Sequence, residues 1–153
     1  MRIRKATLED REALARMHRD SISTLCAGHY TPEQIASWTG CITTEAYDRA
    51  LRDKVFLVAV DQGALLGLGM LDAQAGEVNA LYVSPGAVGH GLGGELLKAL
   101  EREAVGLDRL TLRSTLNAQG FYARHGYRAL EPDEHQLPDG TRLACVLMAK
   151  ALG

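Results

Sequence analysis

The sequence has 153 residues, 46% hydrophobic and 24% charged, with a formal net charge of −2. That length suits one domain, residues 1–153, with a proper core, and the near-neutral charge argues against a chain built to capture nucleic acid or a membrane surface electrostatically. No apolar run approaches the roughly 20 residues of a membrane span, and the opening Met-Arg-Ile-Arg-Lys leads into no apolar signal segment.

Cys26, Cys41 and Cys145 are odd in number, widely spaced and free of any C-x-x-C pattern. They read as free thiols in a reducing cytoplasm, each suited to the role of a small buried hydrophobe. His18, His29, His90, His125 and His135 show no metal-ligand spacing, so no metal is expected.

In chain order, Arg2–Ala6 is a short first strand. Thr7-Leu8-Glu9-Asp10 forms a capping-box pattern, and a helix follows to about Cys26 with Leu14, Met17, Ile22 and Leu25 facing inward. Gly28 and His29 stop it. Thr31-Pro32-Glu33-Gln34 opens a second helix, with Thr31 as N-cap, Pro32 in the first turn and Gln34 closing the box; Gly40 ends it. Thr43 or Thr44 caps a third, ending near Arg52. Val55–Asp61 is a dense β run, turned by Gln62-Gly63 into a returning strand, Ala64–Asp72. Ala75-Gly76 turns again into Glu77–Val83.

The chain then reads strand, glycine-rich turn, helix. Ser84–His90 breaks the strand, and from Leu92 the apolar period becomes helical, with Leu92, Leu96, Leu97, Leu100 and Ala104 on one face. A glycine turn that opens a helix is a ready phosphate site, because the first N–H groups have no helical partner and the dipole favours negative charge. A P-loop needs Lys and Ser/Thr after its last glycine, and Glu95-Leu96 stand there instead. Gly89-His90-Gly91-Leu92-Gly93-Gly94 matches a dinucleotide fingerprint literally, but it does not follow its strand at once and no acidic residue ends the next strand. After the helix, Gly106 precedes the strand Arg109–Ser114, which implies a parallel right-handed crossover. Asn117–His125 is a short helix closed by Gly126. Tyr127–Leu130 and Arg142–Lys150 are the last strands, joined through a polar segment with Pro138-Asp139-Gly140 as its turn.

The stretch V-x-A-L-Y-V-x-P-x-x-V-G-H-G-L-G-G-E-L-L resembles the signature of the GNAT superfamily of acyl-CoA-dependent N-acyltransferases. N-A-Q-G-F-Y-A-R-H-G-Y resembles that family's second motif. The likeness covers nearly the whole chain. It implies an α/β (α+β) fold with a mixed, mostly antiparallel sheet of about seven strands and helices on both faces. One position departs: Val88 stands where the family carries Arg or Gln. H-Y-T-P-E-Q-I-A-S-W resembles the corresponding segment of the bacterial YafP-type subgroup.

The resemblance implies acetyl-CoA as co-substrate. Its pyrophosphate would lie on the backbone of Val88, Gly89, His90, Gly91, Leu92, Gly93 and Gly94, and its arm along Leu81, Tyr82 and Val83 with a contact from Asn117. Asn117 also reads as the N-cap of its helix. Glu77 matches the glutamate some members use as base, directly or through water; strict alternation puts it on one face with Asn79, Leu81 and Val83. Tyr122 matches the tyrosine that protonates the leaving thiolate, which a phenol of ordinary pKa about 10 can do. Adjacent on a helix, Phe121 and Tyr122 face different directions, one toward the core and one toward the site. His29, Tyr30 and Trp38 are acceptor-pocket candidates or a helix-packing corner; Asp133, Glu134 and His135 lie in the last loop, within reach of a cationic amine.

These readings converge on a cytoplasmic N-acetyltransferase acting by direct attack in a ternary complex, with a small-molecule or peptide amine as acceptor. Neither nucleic acid nor membrane is a partner on this reading, and a homodimer is common in the family. The alternative is an acyl-CoA-binding regulatory domain without turnover.

Overall fold

The run from Val55 to Val60 has no polar residue to turn toward water, so its strand must be covered on both sides. The computed structural model, which describes residues 1–153, builds that arrangement. Its strands are β1 (Arg2–Lys5), β2 (Val55–Asp61), β3 (Ala64–Asp72), β4 (Glu77–Val83), β5 (Arg109–Thr115), β6 (Arg128–Gln136) and β7 (Arg142–Ala151). Its helices are α1 (Arg11–Leu25), α2 (Pro32–Gly40), α3 (Ala46–Asp53), α4 (Leu92–Glu103) and α5 (Gln119–Arg124). The seven strands form one sheet in the order β1-β2-β3-β4-β5-β7-β6. All neighbours are antiparallel except β4 and β5.

Phe56 and Val58 of β2 pack with Leu14, Met17 and Ile22 of α1, Trp38 of α2 and Tyr47 of α3. Leu57 and Ala59 pack the other way, with Leu96, Leu97 and Leu100 of α4 and with Tyr122 of α5. Each fully buried leucine here contributes roughly 2 kcal/mol of transfer free energy. α4 lies close because β3 offers glycines beneath it: a Cβ at Gly67 would stand 2.7 Å from Leu96 Cδ1, and one at Gly69 2.9 Å from Leu100 Cδ1.

The Thr31–Gln34 capping box is formed, the Thr31 hydroxyl accepting the Gln34 amide at 3.1 Å and the Gln34 carboxamide accepting the Thr31 amide at 2.9 Å. Gln62 and Gly63 both take positive φ, as a two-residue hairpin turn of type I′ requires.

Three features differ from the sequence expectation. First, the β3–β4 register steps from Met70↔Ala80 to Leu71↔Val78, so Asn79 is a bulge. A bulge resets alternation. Val78, Leu81 and Val83 therefore pack on the α4 side, and Ala80 and Tyr82 on the α1 side. Glu77, next to Val78, turns to the α1 side with Tyr82 and does not share a face with Leu81 and Val83. Second, β6 continues to Gln136, with Asp133, Glu134 and His135 paired to Cys145, Ala144 and Leu143; they lie in a strand, not a loop. This edge strand is exposed on both faces, so backbone pairing holds it and no hydrophobic alternation marks it; Pro132 is tolerated because the edge needs no second donor row. Third, α5 begins at Gln119 with Ala118 at the N-cap, and Asn117 caps nothing.

Candidate active site

β4 and β5 pair only at Glu77↔Thr111 and Val78↔Leu112. Beyond Val78 they part, and the β5-side edge of β4 loses its strand partner. The opening leads into a cavity of about 900 Å³. Leu81, Tyr82 and Val83 form one wall; Thr115, Asn117, Phe121 and Tyr122 form the opposite one; Ser21 and Leu25 of α1, with Cys26 and His29 from the turn after it, close it.

The glycine loop forms the remaining side, and its four glycines divide into two kinds. Gly89 and Gly91 hold φ of +90° and +80°, where an L side chain is strained whatever space surrounds it. Gly93 and Gly94 are helical, and their missing side chains admit α5: a Cβ would stand 3.2 Å from the Phe121 ring and 2.7 Å from His125 Cε1 respectively. No side chain caps α4. The amides of Leu92, Gly93 and Gly94 thus open on the cleft at the positive end of the helix dipole. Val88 lines the cleft and is 48% exposed, whereas His90 projects to solvent outside it.

Lys98, Arg124 and His125 also line the cavity. Sequence reasoning missed them, although Lys98 is one helical turn beyond Gly94 and Arg124 lies two residues past Tyr122. Burial, then the charge of Lys98, lowers the His125 pKa, so its ring is neutral at pH 7. Of the cleft residues near α1, the sequence marks Leu25 as an inward position and Cys26 as a small buried hydrophobe, and it gives no signal for Ser21. Burial pushes the Cys26 thiol up to about 11, which leaves it protonated and a poor nucleophile.

Tyr122 is 7% exposed and packs edge-on against Phe121 and Tyr127, with centroids 5.1 and 5.8 Å away. Phe121 and Tyr122 both line the cleft, so the expected division into one core and one site residue does not hold. Burial raises the Tyr122 pKa, keeping the phenol protonated and able to donate. Tyr82 is raised for the same reason, and its ring lies 4.3 Å from that of His18 on the α1 side.

Glu77 stands outside the cavity lining, at the point where β4 and β5 begin to part. Its Oε1 accepts the Asn79 side-chain amide at 2.7 Å, and its Oε2 is 3.8 Å from an Arg113 nitrogen. Arg113 Nε in turn donates to Asp133 Oδ2 at 2.9 Å. That bond and its charge hold the Asp133 carboxyl below its usual range and raise Arg113.

Of the three acceptor-pocket candidates, only His29 lines the cleft. The Tyr30 hydroxyl donates to the Ala144 carbonyl at 2.6 Å and accepts the Leu116 amide at 3.1 Å. Trp38 packs edge-on against Tyr30, centroids 5.4 Å apart. These two are a packing corner that ties the α1–α2 connection to β7 and to the turn bearing Asn117.

The family model of the acetyltransferase (GNAT) domain matches residues 26–150. A solved GCN5-related N-acetyltransferase from Rhodopseudomonas palustris superposes with a TM-score of 0.92 at 30% identity, covering 99% of this chain and 95% of that one. PaiA N-acetyltransferase from Thermoplasma acidophilum, solved in complex with coenzyme A, gives 0.83 at 26% identity, covering 99% and 98%. An aminoglycoside 6'-N-acetyltransferase complexed with coenzyme A shares the fold alone, at 17% identity and a TM-score of 0.71, covering 99% and 97%. No curated protein matches the chain.

Proposed function

The chain belongs to the GNAT acetyltransferase family, and from that premise we propose that it is an N-acetyltransferase that moves an acetyl group from acetyl-CoA to an amine in a ternary complex. The observation that carries the reading is one of juxtaposition. The uncapped start of α4, the unpartnered edge of β4 and the Tyr122 ring all open on one cavity.

Each wall has a chemical counterpart in the co-substrate. The amides of Leu92, Gly93 and Gly94 suit a pyrophosphate. Lys98 and Arg124 supply the positive side chains that Val88 does not, and both lie on the same cavity. The free edge of Leu81–Val83 offers backbone donors and acceptors to an amide-bearing arm. The size of the cavity, about 900 Å³, accommodates such a ligand.

The chemistry then divides between the two sides of the sheet. Glu77 accepts the amine proton, directly or through water, from the α1 side. Backbone N–H groups of the open β4 edge stabilise the developing oxyanion. Tyr122, protonated and facing the cleft from the α4 side, delivers a proton to the departing thiolate. With Cys26 held as a thiol, a covalent acyl-enzyme is disfavoured and direct attack is preferred.

Calorimetry tests the co-substrate first: saturable binding of acetyl-CoA with none of NAD or ATP is expected, and no binding of acetyl-CoA would end the proposal. The acid role has its own test. Tyr122→Phe is expected to leave acetyl-CoA affinity within about twofold and to lower kcat by roughly 10²-fold, within the range for general acids. Equal turnover would remove Tyr122 from the mechanism.

A further inference from the structure

Two carboxylates share one guanidinium beside the parting of β4 and β5. Arg113 of β5 reaches toward both. It makes a charge-assisted hydrogen bond to Asp133 at 2.9 Å and leaves Glu77 at 3.8 Å, beyond hydrogen-bond range. Asp133 is itself fixed, its other oxygen accepting the Glu134 amide at 2.8 Å within β6. Glu77 is oriented separately by the bulge residue, Asn79, at 2.7 Å. The better pair therefore goes to the carboxylate on the edge strand. The carboxylate at the sheet opening keeps its Oε2 without a hydrogen bond, within loose ion-pair distance of Arg113 only.

We propose that Asp133 is a positioning residue that holds Arg113 off Glu77, so that Glu77 keeps an oxygen available as a proton acceptor. This rests on the reading of Glu77 as base. A guanidinium is built to grip a carboxylate with two parallel bonds. Without Asp133, the nearest carboxylate to Arg113 is Glu77. The side chains are only 44% and 28% exposed, so the pair would form at the margin of the protein, where it is less screened than in open water. A Glu77 so paired is a weaker base and a poorer partner for an arriving ammonium, which would meet a cation at the same place.

The other groups around Glu77 are committed elsewhere. Asp72, its cross-strand neighbour on β3, is bound to Lys54 at 3.0 Å and to the amides of Gln74 and Ala75. Thr111, its β5 neighbour, is neutral and directs its hydroxyl to the Gly76 carbonyl at 3.4 Å. Arg113 and Asp133 are thus the charged pair left to set the state of Glu77.

The test needs no acceptor. The Glu77 side-chain carboxyl is followed by carbon NMR against pH in the whole protein and in Asp133→Asn, Arg113→Gln and the double variant. Asp133→Asn is expected to lower the Glu77 midpoint by roughly half to one pH unit when Arg113 is present. In the Arg113→Gln background the same substitution should move it by a small fraction of that, so the cycle is non-additive. Asp133→Glu should restore the wild-type midpoint. An equal shift in both backgrounds would mean that Asp133 acts through space alone, and no shift in either would mean that it does not act on Glu77; both overturn the proposal. Amide spectra of the same samples show whether each variant is folded. Failure of the base reading is separate: it would appear as a pH–rate profile unchanged by Glu77→Gln, whatever the titration shows.

Discussion

His18 is the residue with most to lose in acid. It sits on α1 between Tyr47, whose hydroxyl meets its Nδ1 at 3.0 Å, and the ring of Tyr82. Its Nε2 is buried with no hydrogen-bond partner. Burial first, then the neighbouring charge of Arg19, lowers its pKa to about 4. An ordinary exposed histidine, and so the unfolded chain, titrates near 6.5. Between those values the unfolded state binds the extra proton, so stability rises with pH through the window from about 4 to about 6.5 and is fully present above it. The loss across the whole window is on the order of 3 kcal/mol at most. Urea unfolding at pH 7.5 and pH 4.5 measures it. Replacing His18 by Gln, which keeps a partner for Tyr47 but cannot take up the proton, should flatten the difference; an unchanged pH dependence would place the acid sensitivity elsewhere. Nothing in the composition marked His18, because an isolated histidine at an inward helical position looks like any other. What singles it out is the absence of a partner for Nε2, and that exists only in the packed structure.

At the scale of elements, the turn into α4 was readable and the strand before it was only half so. The four glycines, the proline and the change of apolar period point to a helix opened by a glycine turn, and that is the element formed. Their division of labour was not readable, because whether a glycine is there for its φ or for a neighbour depends on where α5 docks. The two kinds make different predictions. Gly91→Ala keeps the space but forces an alanine to φ of +80°, at a cost of roughly 1–2 kcal/mol. It should lower the unfolding midpoint and weaken acetyl-CoA binding together. Gly94→Ala meets the His125 ring at 2.7 Å instead, so pairing it with His125→Ala should recover much of its loss, whereas the same partner should do nothing for Gly91→Ala. Thermal unfolding with and without acetyl-CoA separates the cases; equal rescue of both would contradict the assignment. In β4 the pattern of Glu77, Asn79, Leu81 and Val83 suits a straight strand, and only the pairing with β3 shows that Asn79 is extruded and Glu77 reversed. β6 was cut short for a related reason: an edge strand wet on both faces carries no alternation to be read.

At the scale of the whole molecule, the net charge of −2 says little about the cleft. The sheet has to be open between β4 and β5 for a cleft to exist, and the chain closes the far end of that opening with α4 on one side and α5 on the other. Lys98 and Arg124 come from these two helices, and the docking of Phe121 and His125 over Gly93 and Gly94 brings them to one cavity. Against these two cations the cavity lining carries one carboxylate, Glu95, so its formal charge is positive on a chain that is slightly acidic overall, a distribution composition cannot reveal. If that field substitutes for the side chain absent at Val88, acetyl-CoA binding should weaken with salt. Lys98→Ala and Arg124→Ala should each weaken it roughly tenfold, near the worth of one charge-assisted contact, and should each reduce the salt dependence. Val88→Arg should strengthen binding and offset either loss, because it restores a cation on a residue that is already 48% exposed at the cleft and has room to extend. Calorimetry at low and high salt on these variants decides the matter. Affinity unchanged by both neutralisations would mean that the glycine-loop amides hold the phosphates alone.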